Sequence, residues 1–115
     1  MKMDEINIKL PAKPEYMSVA RLSTSAIANR LGFSIDDIED LKVAVSEAGN
    51  YLINQFSDIT ILQICYRIED TSIHVHVMAP GATAVNEQES RETELSLFII
   101  DAVADKVARE MDQNL

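Results

Sequence analysis

The pattern of residues along the chain predicts an α+β fold: a two-layer α/β sandwich with a mostly antiparallel sheet and helices on one face. Three observations lead there. Runs with apolar residues at every second position occur near the start and twice in the middle of the chain. Segments with apolar residues three and four apart alternate with those runs. The element order they give is β-α-α-β-β-α, with no internal repeat and no low-complexity tract.

The first run is Ile6, Ile8 and Leu10, a short half-buried strand that "PAKP" terminates. From Glu15 to Leu31 apolar residues fall at helical steps, with Val19, Leu22, Ala26, Ile27 and Leu31 expected to form the buried stripe and Gly32 to stop the helix. Ser34 is placed to cap the next helix, Ile35 to Phe56, whose first turn holds Asp36, Asp37 and Glu39 at the positive end of the dipole. Its core stripe is Ile38, Leu41, Val45, Ala48 and Leu52.

"ITILQICYRI", "EDTS" and "IHVHVM" predict a hairpin. Leu62, Ile64, Tyr66 and Ile68 share one face with Ile73, Val75 and Val77. Gln63, Cys65, Arg67, His74 and His76 take the opposite, more exposed face. "APGATAVNEQESRE" follows as a polar, mobile loop, and a last helix is expected from about Thr93 to Met111.

A chain of 115 residues with 47% hydrophobic and 25% charged residues has the composition of one soluble domain, residues 1–115. No apolar run approaches the ~20 residues of a membrane span. "MKMDEINIKL" has acids among its few apolar residues, unlike a signal peptide. The cytoplasm is the expected compartment, with no membrane partner. A formal net charge of −9 repels phosphate backbones, which argues against nucleic acid as a partner and for proteins with a basic face. The single Cys65 is expected to be a packed, inert thiol. His74 and His76 are two potential ligands without a third, which favours surface histidines over a metal site.

The second helix raises the functional question. Asp40, Ala44, Glu47, Tyr51 and Asn54 recur at steps of three and four, so one edge of a core helix carries acid, phenol and amide groups. "EYMSVARL" and "DDIEDLKVAVSEA" account for that edge. The stretch from residue 7 to 50, and more loosely to about Val107, resembles the anti-sigma-factor serine kinases of bacterial partner-switching modules. Those kinases share an ATPase superfamily with gyrase, the histidine kinases and the MutL proteins. The resemblance implies a shortened histidine-kinase-like ATPase fold in which the "VSEA" helix forms one wall of an ATP pocket.

It also implies where the pocket has changed. Glu47 matches the family's general base. The family's Mg²⁺-holding Asn, four residues after that Glu, is Tyr51 here, and Asn50 lies one step early. Adjacent helical residues point about 100° apart, and a phenol is a poor ligand for a hard cation. In the family's Asp-x-Gly motif Gly81 remains, but the adenine-reading Asp is Ala79. The Gly-rich turn before the last helix is "ETELSL", without glycine, and Glu87, Glu89, Glu92 and Glu94 surround a lone Arg91 there. Asn50, Tyr51, Asn54, Ala79 and Gly81 thus mark the family's ATP-pocket positions with their ligands altered, and Glu47 is a relict base, since catalysis needs the whole constellation. The expectation is a pseudokinase that needs no cofactor and acts by binding a sigma factor, an anti-anti-sigma (STAS-type) protein, or both. The alternative is an active protein-serine kinase using ATP and Mg²⁺ on such a partner.

Arg21 lies inside apolar "VARL". It is either a snorkelling side chain at the edge of the stripe or a partner contact on the helix that family members use to grip regulators. The family continues past its last helix with a further strand or two, whereas this sequence stops at "AREMDQNL"; a smaller sheet, or an edge left for a partner, is the expectation. Homodimerisation through "INIKL" and the open face of the hairpin is expected as well.

Overall fold

The computed structural model describes residues 3–70 and 72–86. The expected last helix, the "ETELSL" turn and the acidic end of the polar loop lie outside those residues. Strand β1 (Met3–Pro11) leads through a 3-10 turn at Pro14–Tyr16 into helix α1 (Met17–Arg30), followed by α2 (Ile35–Gln55), β2 (Ile61–Glu69) and β3 (Ser72–Met78). The described strands form one antiparallel sheet in the order β1-β2-β3. The α+β class and the alternation of each strand follow the sequence.

Register explains why the alternation works. Ile6, Ile8 and Leu10 stand opposite Tyr66, Ile64 and Leu62, and Val77, Val75 and Ile73 oppose Ile64, Tyr66 and Ile68 on the other side. This inner face holds the core with Ala20 and Ile27 of α1 and Val45 of α2. The outer face carries Glu5, Arg67, His74 and His76, all exposed. There Glu5 accepts a hydrogen bond from Asn7 and pairs with Arg67 at 3.2 Å; these two contacts hold its carboxyl below the usual glutamate range. Cys65, on the same face, is buried, in line with the expectation of a packed thiol. It lies on the central strand between Asn7 and His76, and longer neighbours cover a short side chain there. The two-residue hairpin turn places Asp70 at φ 55, a left-handed conformation that aspartate tolerates better than most residues.

Helix α1 corrects the expected stripe. Its buried residues are Met17, Ala20, Thr24, Ile27 and Ala28, whereas Val19, Leu22 and Ala26 are exposed. Ile27 of the expected stripe is buried, but Val19, Leu22 and Ala26 lie on roughly the opposite side of the helix from Ala20 and Thr24. The reason is Tyr66, which is fully buried on β2 and directs its hydroxyl at α1. Thr24 Oγ1 lies 2.7 Å from the Tyr66 hydroxyl and donates to the Ala20 carbonyl at 2.8 Å. Ser23 Oγ is 3.0 Å from the same carbonyl and 3.2 Å from the phenol. Three hydroxyls and one carbonyl therefore satisfy one another between helix and sheet. A threonine in the core stripe hid it from a reading based on apolar spacing.

The end of α1 follows the sequence closely. Gly32 at φ 79 donates to the Asn29 carbonyl and Phe33 to that of Ala28, the paired bonds of a Schellman motif. Ser34 then caps α2, accepting from the Asp37 amide at 3.1 Å. Of the expected α2 stripe, Ile38 and Val45 are buried and Leu41, Ala48 and Leu52 half-buried. Gly49 is buried as well, because the helices meet there: a Cβ at Gly49 would lie 2.6 Å from the Met17 sulfur.

After β3 the chain turns at once. The Ala82 amide donates to the Ala79 carbonyl at 3.1 Å, with Pro80 at the second position and Gly81 at φ 79 at the third. Proline and glycine at those places are what a type II turn requires. Both flanking alanines are buried. The described part of the polar loop is tied back to residues 54–58 by hydrogen bonds.

Two stability measurements test these contacts. Tyr66→Phe should lose about 1–2 kcal/mol in urea denaturation, since it leaves buried hydroxyls short of a partner while preserving the ring; an unchanged midpoint would mean the network contributes nothing. Gly81→Ala should cost about 1–2 kcal/mol through backbone strain alone, because no atom lies within 4 Å of the added methyl. Gly81→Asn should cost less, and equal losses for both variants would contradict a conformational origin.

Candidate functional site

The polar row of α2 comes out as one half-buried edge. Ala44, Glu47, Tyr51 and Asn54 are intermediate in exposure, as is Asn50 beside them, and Asp40 at the head of the row is exposed. Glu47 and Tyr51 each hold an interaction within the protein. The helix packs against α1 and, along the sheet, against β3. The turn that leaves β3 begins at Ala79. Ala79 and Ala82 are its buried residues, and Gly81 is exposed between them.

The segment after the turn folds back onto the end of α2. Asp58 accepts the Thr83 amide on both carboxylate oxygens at 3.1 Å, the Ala84 amide at 3.0 Å and the Thr83 hydroxyl at 3.3 Å. The Thr83 amide, then that of Ala84, holds the Asp58 carboxyl below the usual aspartate range. Ser57 donates its amide to the Ala84 carbonyl at 2.8 Å, and Phe56 and Val85 form an isolated antiparallel bridge. Asn86 completes the closure, its amide donating to the Gln55 carbonyl at 2.7 Å and its side chain to the Asn54 carbonyl at 2.6 Å.

The structure thus sets Glu47, Asn50, Tyr51 and Asn54 along one side of α2, and Ala79 and Gly81 in the turn that leads into the segment tied to the end of that helix. Arg21 stands apart on α1, half-buried, next to the exposed Leu22. Sequence reasoning missed Asp58 and Asn86. Their only signal was residue type, since Ser57-Asp58 follows directly on a helix end, where such residues bond nearby backbone. Nothing in the spacing pointed to a partner 25 residues away. Among the described residues no group of three or more His, Cys, Asp or Glu side chains could hold a metal ion, and no helix is long and apolar enough to cross a membrane.

Comparison with known proteins bears on this arrangement. Residues 10–114 match the family model of the histidine kinase-like ATPase domain. The chain is 37% identical to the serine-protein kinase RsbW of Oceanobacillus iheyensis over 122 residues, which cover 90% of this chain and 77% of that protein. It is 37% identical to the RsbW of Listeria monocytogenes serotype 4a, with 97% of this chain and 83% of the relative covered. For the RsbW of Bacillus licheniformis the identity is 31% over 97% of this chain and 81% of the relative. With a family match across most of its length and relatives this similar, the chain belongs to the histidine kinase-like ATPase family, among relatives of the serine-protein kinase RsbW.

Proposed function

We propose that this protein is a cytoplasmic regulator of a bacterial partner-switching module that acts by binding protein partners, with productive use of ATP lost. The partners are a sigma factor, an anti-anti-sigma protein of the STAS type, or both. The observation that carries the reading is the outward stripe of α1. Leu22 is 70% and Val19 41% exposed, Ala26 extends the stripe, and Arg21 adds a cation beside it. An apolar stripe with a flanking arginine on an acidic protein suits protein recognition, where buried apolar residues and arginines dominate affinity.

The loss of ATP use rests on donor chemistry. Where the family holds Mg²⁺ with an asparagine amide, α2 offers the Tyr51 phenol. Where the family accepts the adenine amino group with an aspartate, the turn offers the buried methyl of Ala79. Neither residue fits the group it would have to hold. Each hydrogen bond lost to a charged or buried group is worth about 1.5–3 kcal/mol, and two together reduce affinity by roughly two to four orders of magnitude. The second reading, an active protein-serine kinase, is favoured by the retained Glu47 and by the name of the relatives.

Two experiments separate these readings. Titration calorimetry with Mg-ATP should show no binding in the micromolar range, and the double variant Tyr51→Asn/Ala79→Asp should bind at least about tenfold more tightly than the wild type. Micromolar affinity of the wild type, or phosphate transfer to a serine-bearing partner, would make Glu47 a working base. For the binding role, the wild type should form a complex with a sigma factor or STAS-type protein of its own cell. Leu22→Asp should weaken that complex by about tenfold or more. If none of those proteins binds, the regulatory reading fails.

A further inference from the structure

We propose that residues 82–86 form a clasp, locked by Asp58, which caps α2 and holds the end of its polar row in place. The last carbonyls of a helix have no partner within it and must find one elsewhere. Helix α2 has no glycine to turn the chain back and no basic residue in its last turn; its C-cap, Phe56, is already extended. The carbonyls of Asn54 and Gln55 are satisfied instead by Asn86, about thirty positions further along the chain. The cap is therefore tertiary. It exists only while the strap lies in place.

Asp58 is the residue that keeps it there. On electrostatic grounds alone its position is poor, since a carboxylate just past a helix C-terminus faces the negative end of the dipole. Its bonds to the Thr83 and Ala84 amides and the Thr83 hydroxyl supply the compensating reason. None of the causes that lower its pKa is a charged side chain, so the lock is a carboxylate held by neutral donors. The strap also follows directly on the turn that buries Ala79 and Ala82. Lifting it would unpair the last turn of α2, where Asn54 stands, and would loosen the turn that precedes the strap. The clasp thus couples whatever contacts the chain at residues 82–86 to the Tyr51–Asn54 end of the row.

Hydrogen exchange on the full chain tests the device. In Asp58→Ala the amides of residues 82–86 and of the last turn of α2 should lose protection by roughly tenfold, while the first turns of α2 and the hairpin keep theirs. Asp58→Asn retains one acceptor oxygen and should recover part of the protection. In the wild type, protection of the Thr83 and Ala84 amides relative to their intrinsic rates should hold above the ordinary aspartate range. It should fall as pH drops through the lowered carboxyl titration, whereas Asp58→Asn should be flat there. Asn86→Ala should loosen the last turn of α2 from the other end of the clasp, and it serves if Asp58→Ala does not fold. The proposal is overturned if Asp58→Ala leaves residues 82–86 protected as in the wild type, or if protection falls equally across the hairpin. Higher protection in Asp58→Asn than in the wild type would also overturn it, because the helix dipole would then dominate.

Discussion

A tyrosine hydroxyl in the middle of a sheet has to be paired with something, and in this protein that requirement orients the helical layer. Tyr66 is fully buried on the central strand, where it is the largest of the fully buried side chains and its hydroxyl has no access to water. Burying an unpaired hydroxyl would cost kilocalories, so the helix above must bring acceptors and donors to it. Thr24, Ser23 and the Ala20 carbonyl do so within one turn of α1. Ala20 and Thr24 are small enough to let the helix approach that closely. Once they face the sheet, the rotation of α1 is fixed, and Val19 and Leu22 can only point outward.

The rotation of α1 propagates to α2. Met17 lies on the same buried face as Ala20 and Thr24, and its sulfur reaches the bare backbone of Gly49. A glycine inside a helix is unfavourable by itself, but here it opens the space in which the helices meet. With Gly49, Val45 and Ile38 turned inward, the edge bearing Glu47, Tyr51 and Asn54 is left half-buried. The same hydroxyl network therefore orients both surfaces on which the proposed function rests: the apolar stripe on α1 and the polar row on α2.

The relation between those surfaces suits a regulator built on a nucleotide-binding fold. The polar row carries Glu47, Tyr51 and Asn54 half-buried, and the turn after β3 buries Ala79 and Ala82. The strap from Thr83 to Asn86 is held by Asp58 and by helix carbonyls, that is, by the protein's own donors and acceptors. A wall of this kind is preorganised, and a partner that binds it meets one shape and avoids the entropy of ordering it.

The local elements and their ends were legible in the sequence because short-range physics sets them. Ser34 caps α2 with its own hydroxyl, Gly32 closes α1 because it alone accepts a left-handed backbone there without strain, and strand alternation assigns Ile64 and Tyr66 to the core by pleat. The polar row could be identified for the same reason, since helical spacing is fixed by the backbone. Tertiary structure alone decided which of two stripes on α1 is buried. Apolar spacing favoured Val19, Leu22 and Ala26; Thr24, polar by type, won the interior because Tyr66 gave its hydroxyl a partner from 42 positions away. It also decided that Asp58 and Asn86 would close the end of α2. In each case the energy depends on a group distant in sequence, and no local pattern encodes the identity of a distant partner.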